Sequence, residues 1–116
     1  MSAEDRIPII AVDFDGTLDR NEWPRIGEPN MGLIDLLARL RAAHKAYVIL
    51  WTCREGENLT EAVEACREWG LEFDAVNDNL PFISESFGGN SRKIFANYYI
   101  DDKARYKCAE EMMRND

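Results

Sequence analysis

The segment IPIIAVDFDGT, residues 7–17, indicates how the whole chain folds. Its first half is an uninterrupted run of apolar and β-branched residues, which is typical of a strand buried on both faces of a parallel sheet. Asp13 and Asp15 follow this strand directly, and Gly16 then allows the backbone to turn sharply. Ligands of parallel sheets bind at the carboxyl ends of the strands. The segment therefore predicts an α/β domain with an acidic ligand site at the end of its first strand.

Short apolar runs and helical patterns alternate along the rest of the chain. Strands are predicted over residues 46–51, 73–76 and 98–100, and helices over residues 31–43, 91–96 and 103–113. A further helix is predicted from an N-cap at Asn58 to Trp69, where Gly70 would end it. Residues 77–90 have the composition of a loop. This order of elements predicts a Rossmann-like three-layer α/β/α fold with a short parallel sheet.

Length and composition restrict the class of protein. The 116 residues suffice for one domain, which we expect to span residues 1–116. The net charge of −8 at pH 7 disfavours binding to nucleic acids and to anionic membrane surfaces. No apolar run approaches the roughly 20 residues of a membrane span. The cysteines, Cys53, Cys66 and Cys108, lack the spacing of a metal or disulfide motif, and His44 is the single histidine. We therefore expect a cytoplasmic protein with reduced thiols.

Four aspartates are predicted to converge at the ends of two strands. Asp13 and Asp15 follow the first strand, and Asp101 and Asp102 follow the fourth. A single aspartate at such a position is usually a turn residue or a helix cap. Several carboxylates in a small volume repel one another unless a cation neutralises them, and an oxygen-only ligand set favours Mg²⁺. The sequence therefore predicts a magnesium site at this edge of the sheet.

Four motifs, in their order along the chain, resemble those of the haloacid dehalogenase-like (HAD) phosphohydrolase superfamily. They are DFDGT (13–17), WTCREG (51–56), SRK (91–93) and YYIDD (98–102). The likeness is closest to small bacterial or phage members of the superfamily. Neither the stretch between Thr17 and Thr52, with a flap-like segment and one helix, nor the stretch between Cys53 and Arg92 has room for a cap domain. The resemblance thus implies a capless HAD-like core.

The resemblance also implies an activity. The chain would be a Mg²⁺-dependent phosphatase that hydrolyses a phosphomonoester through an aspartyl-phosphate intermediate. Asp13 matches the nucleophile, and Asp15 matches the general acid that protonates the leaving oxygen. Thr52 and Lys93 match the hydroxyl and the lysine that bind the transferring phosphoryl group. The family's dehalogenases lack an acid at the position of Asp15, so its presence favours phosphoryl chemistry.

Ligand contacts follow from the same motifs. The implied metal ligands are Asp13, the backbone carbonyl of Asp15, and the pair Asp101 and Asp102, of which either could be the direct ligand. The implied substrate-binding residues are Gly16, Thr52, Cys53, Arg54 and Lys93. The alternative for Arg54 is a residue that pairs with an acidic group inside a loop.

Two other functions are compatible with the fold. A non-catalytic module could use the same edge of the sheet to bind phosphate or a nucleotide. A phospho-accepting receiver domain also uses an acidic cluster, a threonine and a lysine, but the chain order of the acid pair opposes it. The substrate would be a phosphorylated small molecule or macromolecule. No clear strand follows Asp102, and an unpaired sheet edge would favour a homo-oligomer.

Overall fold

The computed structural model describes residues 6–86 and 94–101. Its strands are β1 (Ile9–Val12), β2 (Tyr47–Leu50), β3 (Ala75–Val76) and β4 (Tyr98–Ile100), and its helices are α1 (Met31–Ala42), α2 (Gly56–Glu68) and α3 (Pro81–Ser86). The strands of the described residues form one parallel sheet in the order β3-β2-β1-β4. The predicted α/β class with a short parallel sheet is confirmed.

The position of β1 in the middle of the sheet follows from its composition. All four residues of β1 are buried, because strands cover both of its edges and helices cover both of its faces. Ile10 and Val12 pack with α1 and α2 in one core cluster. Ile9 and Ala11 belong to a second cluster, against which α3 packs on the other face. The described residues therefore build the three layers that the sequence predicts.

The direction of the chain reverses next to β1. From β1 the chain moves outward to β2 and then β3, and α1 and α2 lie on the same face of the sheet, since both contribute to one core cluster. It then crosses to the other side of β1 and forms β4. The crevice between the carboxyl ends of β1 and β4 is thus the topological switch point, where α/β proteins bind ligands.

The helix α1 forms as its hydrophobic spacing predicts. Asn30 caps it, since the side-chain oxygen of Asn30 accepts a hydrogen bond from the Leu33 N–H at 3.4 Å. The residues that α1 buries are Leu33, Ile34, Leu36, Leu37 and Leu40. The helices α1 and α2 have 12 and 13 residues. Among the described parts of the chain, no helix combines the length and the apolar character needed to cross a membrane.

The start of α2 differs from the prediction. The helix begins at Gly56 rather than after Asn58, and Glu55 precedes it without a capping hydrogen bond from its side chain. Gly56 has a φ of +57°, so the chain turns directly from the loop into the helix. The predicted end is confirmed, because Gly70, with a φ of +98°, follows the last turn.

The prediction was wrong in two places near α3. The helix α3 lies within the stretch predicted as a loop, and Pro81 at its first position is a signal for a helix start. The predicted helix over 91–96 is absent from Ile94–Ala96, where the Phe95 N–H donates to Asn79 Oδ1 at 2.7 Å instead of to a helix carbonyl. Residues 91–93 and the predicted helix over 103–113 lie outside the described residues.

Replacement of Gly70 by alanine should lower the free energy of unfolding by about 1 kcal/mol, because alanine is strained at this positive φ. Gly32 in α1 is the matched control, since a Cβ there would lie 3.8 Å from Asn30 Oδ1, an ordinary contact. Gly32→Ala should raise the free energy of unfolding by about 0.5–1 kcal/mol. Urea unfolding measures both changes, and effects of the same sign would contradict the assignment of Gly70 as the helix stop.

Candidate active site

Two acidic side chains share a cleft at the switch point. Asp13 follows β1, and its N–H donates to the Ile100 carbonyl oxygen at 2.9 Å, which ties the end of β1 to β4. Asp101 follows β4 directly. The cleft has a volume of about 200 Å³ and is lined by Asp13, Trp51, Thr52, Cys53 and Asp101. The structure therefore brings together four of the predicted site residues, Asp13, Thr52, Cys53 and Asp101.

The loop after Asp13 is a wide turn with a glycine at its sharpest point. Asp15 has φ −66° and ψ 118°, and Gly16 has φ 82° and ψ 2°, which are the angles of a type II turn. The Asp19 N–H donates to the Phe14 carbonyl oxygen at 3.2 Å and closes the turn. Because the second central residue of such a turn needs a positive φ, Gly16 is required by the backbone. Gly16 itself does not line the cleft between Asp13 and Asp101.

Asp19 holds the segment that follows this turn. Its side chain is buried and accepts backbone hydrogen bonds from Gly16 (3.3 Å), Asn21 (3.0 Å) and Gly27 (2.7 Å). We call residues 19–29 the flap. A Cβ on Gly27 would lie only 3.1 Å from Asp19 Oδ2, so the flap packs against the carboxylate without room for a side chain at this position. Sequence analysis missed Asp19, whose only signal is an aspartate at the start of a turn-forming stretch.

Arg54 is buried beneath the flap. Its side chain forms a bidentate ion pair with Asp15, with Nη2 2.7 Å from Oδ1 and Nε 2.9 Å from Oδ2. Its other N–H groups donate to the backbone carbonyls of Pro24 (3.1 Å), Arg25 (3.1 Å) and Asn58 (3.3 Å). A guanidinium has five N–H donors, and all five are satisfied here. Arg54 therefore connects the loop after β1, the flap and the first turn of α2.

Aromatic rings complete the environment of this guanidinium. The Arg54 Cζ atom lies 4.9 Å from the ring centroids of both Phe14 and Trp23, within the range of a cation–π interaction. The hydrogen bond to Asp15 raises the pKa of Arg54 above its ordinary value, against the lowering effect of burial, and the charges of Asp15 and Asp19 act in the same direction as the hydrogen bond. Arg54 thus stays charged inside the protein.

These contacts change the interpretation of two predicted site residues. We expected Arg54 to bind substrate, but all five of its side-chain N–H groups donate within the chain, as in the ion-paired alternative. We expected the side chain of Asp15 at the site, but both of its oxygens accept hydrogen bonds from Arg54, and it is not among the residues that line the cleft. A bidentate pair of this kind fixes the position and orientation of the Asp15 carboxylate.

Thr52 is also tied to its neighbours. Its backbone N–H donates to Asn77 Oδ1 at 2.8 Å. Its hydroxyl oxygen accepts a hydrogen bond from the backbone N–H of Arg54 at 3.1 Å. Asn77 follows β3 with a φ of +50°, which asparagine tolerates better than most residues. Asn77 therefore fixes the backbone at Thr52 while the threonine side chain lines the cleft.

Two of the predicted metal ligands, Asp13 and Asp101, lie together among the described residues. Lys93 and Asp102 lie outside them. Within residues 6–86 and 94–101, no three or more His, Cys, Asp or Glu side chains are grouped to hold a metal ion. Mg²⁺ is usually held in proteins by one or two carboxylates, with waters and substrate phosphate completing its shell. Asp13 and Asp101, which share one cleft, are a donor set of this kind.

The two cysteines of the described residues have different environments. Cys53 is exposed at the cleft, whereas Cys66 is buried in the core, and both are free thiols. Burial raises the pKa of Cys66 to about 12, and the charge of Asp19 adds to this effect. Cys66 is therefore a packing residue that remains protonated at neutral pH.

Comparison with known proteins finds a relative by structure. A solved structure of a conserved protein from Bacteroides thetaiotaomicron matches with a TM-score of 0.78 and 41% sequence identity, and the match covers 95% of this chain and 92% of that chain. No protein-family model and no curated protein matches the chain. The identity and coverage place the two chains in one family, and the shared architecture is the parallel α/β fold described above.

Arg54→Lys should lower the free energy of unfolding by about 3 kcal/mol, because lysine cannot form the bidentate pair and leaves buried acceptors unpaired. Arg41→Lys is the matched control, since Arg41 pairs with Asp74 at 3.1 Å but its side chain is 36% exposed. That substitution should cost less than about 1 kcal/mol. Urea unfolding, with hydrogen exchange at the flap amides, measures both effects. Equal losses in the two variants would contradict the role assigned to Arg54.

Proposed function

We propose that this chain, which belongs to the same family as the conserved Bacteroides thetaiotaomicron protein, is a capless Mg²⁺-dependent phosphohydrolase of the HAD type. The observation that carries the proposal is the cleft that Asp13, Thr52 and Asp101 share at the switch point of the sheet. The resemblance of four ordered motifs to the HAD superfamily supports it. The reaction would be hydrolysis of a phosphomonoester through an aspartyl-phosphate on Asp13.

Asp13 would act as the nucleophile. One oxygen of its carboxylate attacks phosphorus, the bond between phosphorus and the leaving oxygen breaks, and the phosphoryl group is transferred to Asp13. Water then attacks the aspartyl-phosphate, which releases inorganic phosphate and regenerates the carboxylate. Asp13 is positioned for this role by two hydrogen bonds. Its carboxylate Oδ1 accepts the Phe14 N–H at 2.8 Å, and its backbone N–H donates to the Ile100 carbonyl oxygen.

The remaining cleft residues would neutralise and orient the phosphoryl group. Mg²⁺, held by Asp13 and Asp101, would supply positive charge against the phosphoryl oxygens. Thr52 lines the cleft and would donate its hydroxyl hydrogen to one of those oxygens, since its hydroxyl oxygen already accepts a hydrogen bond from the backbone N–H of Arg54. Lys93 and Asp102 are assigned to the same cleft by the HAD resemblance alone.

The role of Asp15 as general acid requires a rearrangement. Both oxygens of its carboxylate accept hydrogen bonds from Arg54, so Asp15 must leave the guanidinium before it can protonate a leaving oxygen. Arg54 also holds the carbonyls of Pro24 and Arg25 in the flap. We therefore propose that movement of the flap and release of Asp15 are coupled.

The Asp15–Arg54 pair also favours a second candidate function. If Asp15 never leaves Arg54, the cleft has no general acid at this position and would bind phosphate without hydrolysing an unactivated ester. The chain would then be a phosphate-binding module. Turnover of an alkyl phosphate, whose leaving oxygen needs a proton, separates this function from the phosphohydrolase.

Asp13→Asn should abolish hydrolysis of p-nitrophenyl phosphate in the presence of Mg²⁺, because the amide keeps the shape of the side chain and removes the nucleophile. Asp35→Asn, on an exposed position of α1, is the matched control and should retain the wild-type rate. Steady-state kinetics with circular dichroism as a check of the fold gives the comparison. Turnover of the Asp13 variant close to that of the control would rule out the proposed nucleophile.

Mg²⁺ should stabilise the wild-type chain, because binding to the folded state alone contributes about 2.7 kcal/mol at a hundred times the dissociation constant. Asp101→Asn should lose most of this stabilisation, while Asp35→Asn should keep it. Thermal unfolding in Mg²⁺ and in EDTA measures the shift for each variant. A shift that is the same in Asp101→Asn and in the wild type would place the metal elsewhere.

A further inference from the structure

An exposed aromatic pair borders the candidate active site. Trp51, which lines the cleft beside Thr52, is 42% exposed, and Tyr99 is 40% exposed. The two rings meet edge to face, with centroids 5.5 Å apart and an interplanar angle of 68°. Within the part of the chain that the structure describes, neither ring belongs to either hydrophobic core cluster. Large aromatic surfaces that are left in water next to a cleft are typical of a binding site rather than of packing.

This pair, which we call the aromatic wall (Trp51 and Tyr99), is held in place by the backbone. The Tyr99 hydroxyl donates to the Ile94 carbonyl oxygen at 2.6 Å and accepts the Ala96 N–H at 3.1 Å. The backbone N–H of Trp51 donates to the Val12 carbonyl oxygen at 2.9 Å, which fixes the main chain of Trp51 next to the end of β1, and the indole packs against the Tyr99 ring. A ligand ring would meet a preorganised surface and pay little for ordering it.

The size and chemistry of the cleft match one end of a small molecule. Its volume is about 200 Å³, and an engineered protein cavity of about 150 Å³ holds one benzene molecule. Asp13, Thr52 and Asp101 form the polar end, which suits a metal-bound phosphoryl group. Trp51 forms the apolar side. A flat ring attached to the phosphate would therefore contact the aromatic wall while the phosphoryl group lies at Asp13.

We propose that the aromatic wall binds an aromatic ring on the leaving group of the phosphomonoester substrate. This inference rests on the proposed phosphohydrolase function and names the substrate class of the same site. Hydrolysis would break the bond between phosphorus and the ester oxygen, and the ring-bearing alcohol or phenol would leave with a proton. The ring could be a nucleobase joined to the phosphate through ribose, or the phenol ring of phosphotyrosine. Both sources stack on an indole through the same π-surface.

The test compares substrates that differ in the ring. Adenosine 5′-monophosphate is paired with ribose 5-phosphate, and phosphotyrosine with phosphoserine, and kcat/KM is measured for each with Mg²⁺. Trp51→Ala should lower kcat/KM about tenfold for a ring-bearing substrate, as stacking contributions predict. It should change the ringless partner by less than about twofold. The substrate pair in which Trp51→Ala lowers kcat/KM for the ring-bearing member identifies the source of the ring. The ratio of kcat/KM in the variant to kcat/KM in the wild type is used, because it cancels the intrinsic reactivity of each ester.

Two further variants separate stacking from folding. Trp51→Phe keeps an aromatic ring and should retain most of the wild-type kcat/KM for the ring-bearing substrate. Met31→Ala removes another large exposed apolar side chain, 39% exposed at the start of α1, and should leave every rate unchanged. Thermal unfolding verifies that each variant is folded. Equal losses of Trp51→Ala on ring-bearing and ringless substrates would overturn the proposal while leaving the phosphohydrolase function intact.

Measurement of ligand affinity tests the aromatic wall without requiring turnover. Calorimetric titration of the wild-type protein with Mg²⁺ should give an affinity for adenosine 5′-monophosphate or phosphotyrosine about tenfold higher than for its ringless partner. This preference should disappear in Trp51→Ala. If no phosphomonoester is hydrolysed, the proposed function fails, and the titration still tests the aromatic wall. Equal affinities for ring-bearing and ringless compounds in the wild type would overturn it.

Discussion

The buried guanidinium of Arg54 is the interaction on which the geometry around the candidate site depends. A charge without access to water is tolerated only when it is paired and every donor is satisfied. Arg54 meets this condition with the Asp15 carboxylate and with backbone carbonyls of the flap and of α2. The loop after β1, the flap and the start of α2 must therefore adopt the paths that bring those acceptors to one point. Displacement of any one of them would leave a buried charge or donor without its partner.

The sheet supplies the second constraint. The strand β4 lies on the opposite side of β1 from β2, so a crevice forms at the carboxyl ends of these strands. Asp13 at the end of β1 and Asp101 at the end of β4 line this crevice. The sheet thus brings the two carboxylates together, whereas Arg54 withdraws a third, that of Asp15. Asp13 and Asp101 thus lie in the cleft, whereas Asp15 is bound to Arg54 under the flap. The proposed chemistry, which needs Asp15 in the cleft, therefore depends on the position of the flap. The aromatic wall lies on the cleft side of this division.

Much of the fold is predictable because it depends on local patterns. The apolar runs predict β1, β2 and β4, the leucine spacing predicts α1, and Gly70 predicts the end of α2. The convergence of Asp13 and Asp101 is also predictable, since both follow strands of a parallel sheet. The environment of Arg54 is not, because backbone carbonyls of the flap and α2 carry no sequence signal. The short α3 was missed for a similar reason, since six residues show too little periodicity to distinguish a helix from a loop.

The central claim is that a phosphoryl group is transferred to Asp13, and direct chemical trapping tests it. The protein is incubated with Mg²⁺ and a phosphomonoester that it hydrolyses, and the reaction is quenched. Borohydride is then added to reduce any acyl phosphate, and the protein is digested for peptide mass spectrometry. We expect Asp13 to be converted to homoserine only when both Mg²⁺ and the substrate are present. Substrate turnover without reduction at Asp13, or reduction at a different carboxylate, would contradict it.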